Sequence, residues 1–199
     1  MIAPLSVVVE GITDEVVVIR ILEECGLKMG VVRGLKGRSS IEKGITGYNN
    51  AVKRSPWFVL VDLDQDSCAG ELCQSWLPNP SPLMCLRVVI REVESWLLAD
   101  AVRLAEFLKV SPTLLPDSPE SLADPKRTLV NLARRSRSVK IRDGLVPRIA
   151  SGRVVGELYT SLVTEFVMDR EKGWRPEHAA QSAPSLDRCI KAIRKRFQV

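Results

Sequence analysis

One apolar run that ends in acidic residues constrains the fold of this chain more than any other stretch. The segment FVLVDLDQDS, residues 58–67, begins with apolar residues and then breaks into Asp62, Asp64 and Asp66. A short, continuous apolar run bounded by turn residues is typical of a strand buried on both faces of a parallel sheet. Such a strand would deliver its acidic side chains to a crevice at its own carboxyl end.

The spacing of the first two acids indicates a shared face. Because side chains alternate along a strand, Asp62 and Asp64 would lie roughly 6.5 to 7 Å apart on one side, close enough to hold one hard cation or a pair. Leu63 would then point into the core. The same stretch also suits a turn, because Asp is common where strands end and residues 64–67 have typical turn composition. Both interpretations stay open for this segment alone.

Strands and helices alternate through the first half of the chain. Apolar runs predict strands at 5–9, 28–33, 58–62 and 84–91, and helices are predicted at 13–25, 40–53, 68–77 and 96–108. Thr13 is expected to cap the first of these helices. This alternation predicts an α/β fold built on a doubly wound, mainly parallel sheet.

The character of the chain changes after Val110. Residues 111–125 are rich in Pro and Ser and predict a surface connector, and helices rich in Lys and Arg are predicted at 126–137, 152–170 and 185–197. The last of these helices places Leu186, Ile190, Ile193 and Phe197 on one face. We therefore expect an α/β domain at 1–110 and a C-terminal helical extension at 111–199 that packs on it.

Composition excludes some classes of protein. The formal net charge is +5 with a pI near 9.1, a weak indication of a polyanionic partner. The five cysteines are scattered and there is one histidine, so neither a zinc site nor a disulfide framework is expected. No secretory signal pattern is present, and no apolar run approaches the ~20 residues that span a bilayer. We expect a cytoplasmic protein with no membrane partner.

Acidic residues follow three of the predicted strands. In a parallel sheet all the carboxyl ends lie along one edge, where ligand sites are built. Two carboxylates 4 Å apart at an effective dielectric near 20 repel by about 4 kcal/mol, so such a group would need protons or a cation. A set of oxygen ligands favours one or two Mg²⁺ or Mn²⁺ ions, which suit phosphodiester chemistry. The residues concerned are Glu10, Asp62, Asp64, Glu92 and Glu94.

Some of these acids have simpler alternatives. Glu10 precedes Gly11 and could belong to a strand-to-helix turn. Glu92 and Glu94 could be first-turn acids that stabilise a helix dipole. If the helix begins at Glu92, their side chains diverge by about 200°, so at most one of them would reach the metal.

Three acidic motifs resemble the Toprim fold. They are EGITDE at 10–15, VDLDQD at 61–66 and REVESWLLAD at 91–100. The chain is most similar to small Toprim-like proteins related to the nuclease half of OLD-type ATPase-nucleases. The later segments DPK, GELYT and SAPSL, at 124–126, 156–160 and 182–186, also resemble that group.

The resemblance implies roles for the acids. Glu10 would be a general base or metal ligand, and Asp62 and Asp64 would be ligands and catalytic groups at the principal ion. Glu92 and Glu94 would hold or orient a second ion. Asp14 and Asp66 would lie outside the direct ligands.

The function that the resemblance implies is metal-dependent hydrolysis of nucleic acid, DNA in preference to RNA, in phage defence or a mobile element. The chain contains no G-x-x-x-x-G-K-[ST] sequence, so an ATPase could only be a separate partner. The main alternative is a non-catalytic Toprim-like binding or regulatory subunit of an ATPase complex. Nucleotidyl transfer would need a nucleotide-binding domain, for which the sequence gives no support.

Two basic groups are candidates for contact with nucleic acid. One group is expected on the loop after the second strand, at the edge that carries the acids, and comprises Arg33, Lys36 and Arg38. The densest cluster comprises Arg134, Arg135, Arg137, Lys140 and Arg142. Arg134, Arg135 and Arg137 are its candidates for contact with the phosphate backbone, without base specificity. The alternative for the second group is an ordinary solvated face.

Overall fold

The computed structural model describes residues 3–52 and 55–197, which divide into two compact units. The first unit takes in the described residues of Met1–Ile90 and Ser185–Val199, and the second unit is Arg91–Pro184. The division differs from the predicted boundary at residue 110, because residues 91–110 belong with the helices that follow them. The last helix belongs to the first unit.

The first unit is built on a four-stranded, all-parallel sheet. Its strands are β1 (Leu5–Val9), β2 (Met29–Gly34), β3 (Trp57–Asp62) and β4 (Met84–Val89), in the order β2-β1-β3-β4. All the residues of β1 are buried, as are those of β3 up to Val61. The prediction of an α/β fold with a mainly parallel sheet is confirmed.

Three helices connect these strands: α1 (Ile12–Glu24), α2 (Arg38–Ala51) and α3 (Ala69–Trp76). Apolar residues of α2 and α3, such as Ile41 and Leu72, share a buried cluster with Val59 and Val61 of β3. Right-handed crossovers in this strand order put α1 on the opposite face of the sheet from α2 and α3. Lys53, where the second helix was predicted to end, lies outside the described residues.

The start of α1 differs from the prediction. Thr13 lies inside the helix, and Gly11 is the N-cap residue. The carboxylate of Asp14 accepts a hydrogen bond of 2.7 Å from the backbone N–H of Gly11, which ties the first turn back to the strand exit. The β-branched run from Val16 is helical despite its strand propensity, because burial of this face stabilises the helix.

The second unit is helical. Its helices are α4 (Glu94–Ala99), α5 (Ala101–Leu108), α6 (Pro125–Arg134), α7 (Val139–Leu145), α8 (Tyr159–Met168) and α9 (Pro176–Ala179), with short 3-10 turns at Pro112–Leu114 and Pro119–Ser121. The helix predicted at 96–108 is two helices, and the one predicted at 152–170 is limited to α8. Helices α7 and α9 were not predicted from the sequence.

Asp100 explains the break between α4 and α5. Its side chain is fully buried and accepts hydrogen bonds from the backbone N–H and the guanidinium of Arg175, at 2.6–3.0 Å. Its backbone, at φ −89° and ψ 67°, is not helical. Nearby, the indole N–H of Trp174 donates to the carbonyl of Trp96. These contacts hold the break in place, and neither helical periodicity nor capping patterns predict them.

The last helix, α10 (Pro184–Phe197), lies in the first unit from Ser185 onward. Its apolar face is buried as predicted, with Leu186, Ile190, Ile193 and Phe197 each at most 4% exposed. In the part of the chain that the structure describes, no helix combines the length and the apolar character needed to cross a membrane.

Candidate active site at the carboxyl edge of the sheet

The strand order places a crevice between the carboxyl ends of β1 and β3. These strands are neighbours, with Val8 paired to Val59. The chain leaves β1 toward β2 on one side and leaves β3 toward β4 on the other, so the strand order reverses between them. In open parallel sheets, ligands bind in the crevice at such a switch point.

Glu10 and Asp62 meet at this switch point. The Oε1 atom of Glu10 accepts a hydrogen bond of 3.0 Å from the backbone N–H of Asp62. Both residues are partly buried, since each directly follows or ends a fully buried run of its strand. The structure therefore brings together two acidic residues that lie 52 positions apart in the sequence.

The chain turns immediately after Asp62, so this segment follows the turn alternative and not the extended one that would put Asp64 beside Asp62. Leu63 is 3% exposed and points into the core, as expected. Asp64 has φ +50°, in the left-handed region that Asp tolerates better than most residues, and Asp66 N–H donates to the carbonyl of Leu63 to close the turn. Strand alternation therefore stops at Asp62 and does not put Asp64 on the same face.

Arg38, the first residue of α2, holds this turn. Its Nη1 donates to the carbonyls of Asp62 and Leu63 and to the carboxylate of Asp64, at 3.1–3.2 Å. Its Nη2 forms an ion pair with Asp66. Burial by itself lowers the pKa of Arg38, but the hydrogen bonds to Asp66 and Asp64 outweigh it and raise that pKa above its ordinary value.

The guanidinium of Arg38 also lies over an aromatic ring. Its central carbon is 5.3 Å from the ring centroid of Trp76, within the range of a cation–π contact. Arg38 therefore fixes the acidic turn from several directions. A phosphate contact was predicted for Arg38, but its role in the turn was not, since no local pattern pairs Arg38 with acids about 26 residues later.

The loop from Gly34 to Gly37 wraps the end of β1. The N–H groups of Leu35 and Gly37 donate to the carbonyls of Val9 and Glu10, at 2.9 and 3.2 Å. Gly34 has φ +91°, and a Cβ atom added there would lie 2.3 Å from the Val9 carbonyl oxygen. Only glycine fits this close approach without a shift of the backbone.

The other predicted basic residues of this edge are exposed. Arg33 lies within β2 and not on the following loop, and it is paired in register with Val8. Lys36 lies on the loop itself. Asp14, which is 8% exposed, serves the start of α1 through Gly11.

The acidic side chains at this edge provide only part of the ligand set that a hard cation needs. Searching residues 3–52 and 55–197 gives no group of three or more His, Cys, Asp or Glu side chains arranged to hold a metal ion. Mg²⁺, however, is commonly bound through one or two carboxylates, with waters and substrate phosphate oxygens completing its shell. Glu10 and Asp62 would meet that smaller requirement. Asp64 and Asp66 are engaged by Arg38.

Glu92 and Glu94 lie in the second unit, where both contact the same lysine. The ammonium of Lys126 is 3.1 Å from a carboxylate oxygen of Glu92 and 3.6 Å from one of Glu94, and the backbone N–H of Lys126 also donates to Glu92. The hydroxyl of Tyr159 donates to Glu94 at 2.8 Å. The metal roles of Glu92 and Glu94 stay predictions.

Glu94 is fully buried within this cluster. Burial raises the pKa of its carboxyl, and Glu92 adds to the rise, while Lys126 and the Tyr159 hydroxyl oppose it. Its Oε2 atom has no hydrogen-bond partner in the described part of the chain. Lys126 and Tyr159 belong to the DPK and GELYT segments, so these segments contact the acids of REVESWLLAD. The sequence alone does not predict these contacts.

The densest basic cluster is also in the second unit. Arg134, Arg135 and Arg137 are exposed around the end of α6. Arg134 lines an open surface pocket together with Arg142 and Arg148. Exposure of this kind fits either contact with phosphate or a solvated face, the two alternatives that the sequence leaves open.

We compared the chain with known protein families, with curated proteins and with solved structures, and none of the three comparisons gives a match.

Proposed function

We propose that the chain is a Toprim-like enzyme that hydrolyses phosphodiester bonds of nucleic acid, DNA in preference to RNA, with one or two Mg²⁺ or Mn²⁺ ions. The observation that carries this proposal is the contact between Glu10 and the Asp62 backbone at the switch point of the parallel sheet. It is supported by the position of the crevice, where ligands of such folds bind, and by the oxygen-only chemistry of the two side chains.

The residues at this edge would have different roles in the reaction. Glu10, oriented by the Asp62 N–H, would take the proton of the attacking water, and Asp62 with Glu10 would hold the metal. The bound metal would supply Lewis-acid activation of the water and stabilise the leaving oxygen. Lys36, exposed on the loop beside this edge, would bind a backbone phosphate of the substrate.

Arg38 would keep the acidic turn in place during the reaction. Its guanidinium contacts the turn from Asp62 to Asp66 and so restrains the backbone that presents the Asp62 carboxylate. Asp64 is 48% exposed on its side chain. A change in its pairing with Arg38 on binding of substrate would make it a further ligand, as the resemblance implies.

The test is nicking of supercoiled plasmid by the purified chain with Mg²⁺ or Mn²⁺. Glu10→Gln keeps an oxygen that can accept the Asp62 N–H but loses the charge, so we expect cleavage to fall by about 10²-fold or more. The control is Glu15→Gln, the same change five positions later on the first turn of α1. Cleavage that survives both Glu10→Gln and Asp62→Asn would refute the assignment.

One observation favours the non-catalytic alternative. Arg38 pairs with both Asp64 and Asp66, and the described residues show no group of three metal-ligating side chains. A Toprim-like subunit that regulates a separate ATPase would need no such group. Copurification of a stable ATPase complex, together with no cleavage by the chain or the complex under either metal, would establish this alternative instead.

A further inference from the structure

The first unit contains a pocket that the proposed function does not use. It encloses about 410 Å³ beside β4, the edge strand of the sheet, and is lined also by α3, the loop before β4, and α10. This volume suits a small organic ligand. The lining takes in Met84–Arg87, the amino-terminal part of β4, so the pocket is separate from the carboxyl edge where Glu10 and Asp62 meet.

The polar lining of the pocket is cationic. Arg87 of β4 and Lys195 and Arg196 of α10 contribute three positive charges, and none of the lining residues that the structure describes is acidic. Arg196 is anchored by a hydrogen bond of 3.0 Å to the carbonyl of Pro82. Three cations on one small pocket, with no acid among the described residues that line it, create a site for an anion.

Arg87 carries the strongest sign of a missing partner. Its Nε atom is buried and has no hydrogen-bond acceptor among the residues that the structure describes. Within the same residues, no ion pair joins Arg87 or Lys195 to a carboxylate. An arginine on a pocket wall with no carboxylate partner leaves its positive charge available to an anionic ligand.

The rest of the lining is uncharged. Leu77, Pro80 and Met84 give the pocket an apolar wall. Burial raises the pKa of Cys85 to about 11 and also raises that of Cys73, so both thiols are neutral at physiological pH. A ligand that fits would combine a compact anionic head with an apolar or aromatic body.

We propose that this pocket binds a phosphate monoester carried on an apolar or aromatic body. A phosphate monoester has a charge of about −1.5 to −2 at pH 7 and three strong acceptor oxygens, which match three cationic side chains better than one carboxylate does. Two sources share this chemistry: a free mononucleotide and the phosphorylated end of a nucleic acid strand. The inference does not rest on the proposed nuclease activity.

The experiment measures binding to the full-length chain by titration calorimetry in EDTA, so that cleavage plays no part. The probes are dAMP, deoxyadenosine, and one oligonucleotide with either a 5′-phosphate or a 5′-hydroxyl. We expect dAMP or the 5′-phosphorylated strand to bind, and their unphosphorylated counterparts to bind at least tenfold more weakly. Tighter binding of dAMP assigns the pocket to free nucleotides, and tighter binding of the phosphorylated strand assigns it to strand ends.

Two lysines of α10 form a matched pair of variants. Lys195→Met removes a charge from the pocket wall, and we expect it to weaken binding about tenfold, the size of one charge-assisted hydrogen bond. Lys191→Met removes the same charge one turn earlier, where the lysine pairs with Asp187 outside the pocket, and should leave binding unchanged. Arg87→Met should weaken binding further. Equal effects of the two lysine variants, or no binding of either phosphorylated probe, would overturn the proposal.

Discussion

Arg38 shows how one residue can change the interpretation of a motif. The acids of VDLDQD look like a row of ligands on an extended strand, yet Arg38 binds two of them and two backbone carbonyls of the same segment. An ion pair at the surface contributes little stability by itself, but a guanidinium with several acceptors fixes geometry. In this chain the geometry that it fixes is the exit from β3.

Glu94 makes the stability of the fold depend on pH. Burial raises its pKa in the folded state above the ordinary value of 4.5. The folded state therefore binds the Glu94 proton more tightly than the unfolded state does. Its contribution to stability is greatest below the unfolded pKa and is lost as the pH rises from there through the raised folded pKa.

We predict that Glu94→Gln removes the loss of stability that accompanies rising pH. The free energy of unfolding of the variant should fall less steeply than that of the wild type as the pH rises above about 4.5. Urea titrations at a series of pH values measure it. Glu165→Gln, at an exposed carboxylate of the same unit, is the control for loss of one acid. A Glu94→Gln profile parallel to the wild type would show that burial does not govern this carboxyl.

At the scale of elements, the β2–α2 loop is as important to the site as the strands are. Hydrogen bonds from Leu35 and Gly37 hold it on the end of β1, and it leads directly into Arg38. The sequence places this loop correctly between a strand and a helix. Its packing on Val9 depends on a positive φ at Gly34, which the mere presence of a glycine does not reveal.

We predict that Gly34→Ala destabilises the first unit much more than Gly26→Ala does. Both glycines have positive φ, and alanine disfavours this left-handed conformation. Each variant should therefore lose about 1–2 kcal/mol of its free energy of unfolding. Only at Gly34 would the new Cβ also meet a backbone oxygen, whereas Gly26 has no neighbour within 4 Å. Denaturant midpoints of the two variants measure the difference. Equal losses would mean that the loop does not pack on Val9 as described.

The individual elements show which parts of the fold the sequence could predict. Continuous apolar runs specify β1 and β3, because a parallel strand buried on both faces is built almost entirely from apolar residues. The edge strand β2 has a weaker pattern, since none of its residues is fully buried and it contains Arg33. The break at Asp100 escapes such patterns, since it depends on a distant arginine. Turn composition suggests the turn after Asp62, but not its contacts with Arg38. The proximity of Glu10 and Asp62 could be predicted, because parallel topology brings the carboxyl ends of strands together. The contacts of Lys126 and Tyr159 with Glu94 could not be predicted, because they depend on how the helices pack.

At the scale of the molecule, the chain leaves its first unit and returns to it. Residues 91–184 form the second unit, and α10 then completes the first. The amphipathic pattern of α10 predicts a buried face but does not say which unit covers it. For this reason the expected boundary after residue 110 differs from the observed division.

We predict that Ile193→Ala lowers the stability of the first unit by about 2–5 kcal/mol, because Ile193 is fully buried. Hydrogen exchange should show lost protection in the strands of the sheet. Lys191→Ala, on the exposed side of the same helix, should change little. Loss of protection confined to the helices of residues 91–184 would instead support the boundary expected from the sequence.

The central claim is that Glu10 and Asp62 form a metal-binding edge for phosphodiester hydrolysis. The most direct measurement is an anomalous difference map from crystals of the chain soaked in Mn²⁺. We expect an anomalous peak within bonding distance, about 2.0–2.3 Å, of carboxylate oxygens of Glu10 and Asp62, and no such peak in Glu10→Gln crystals. A wild-type map with no peak at this edge would show that these residues do not form a metal site.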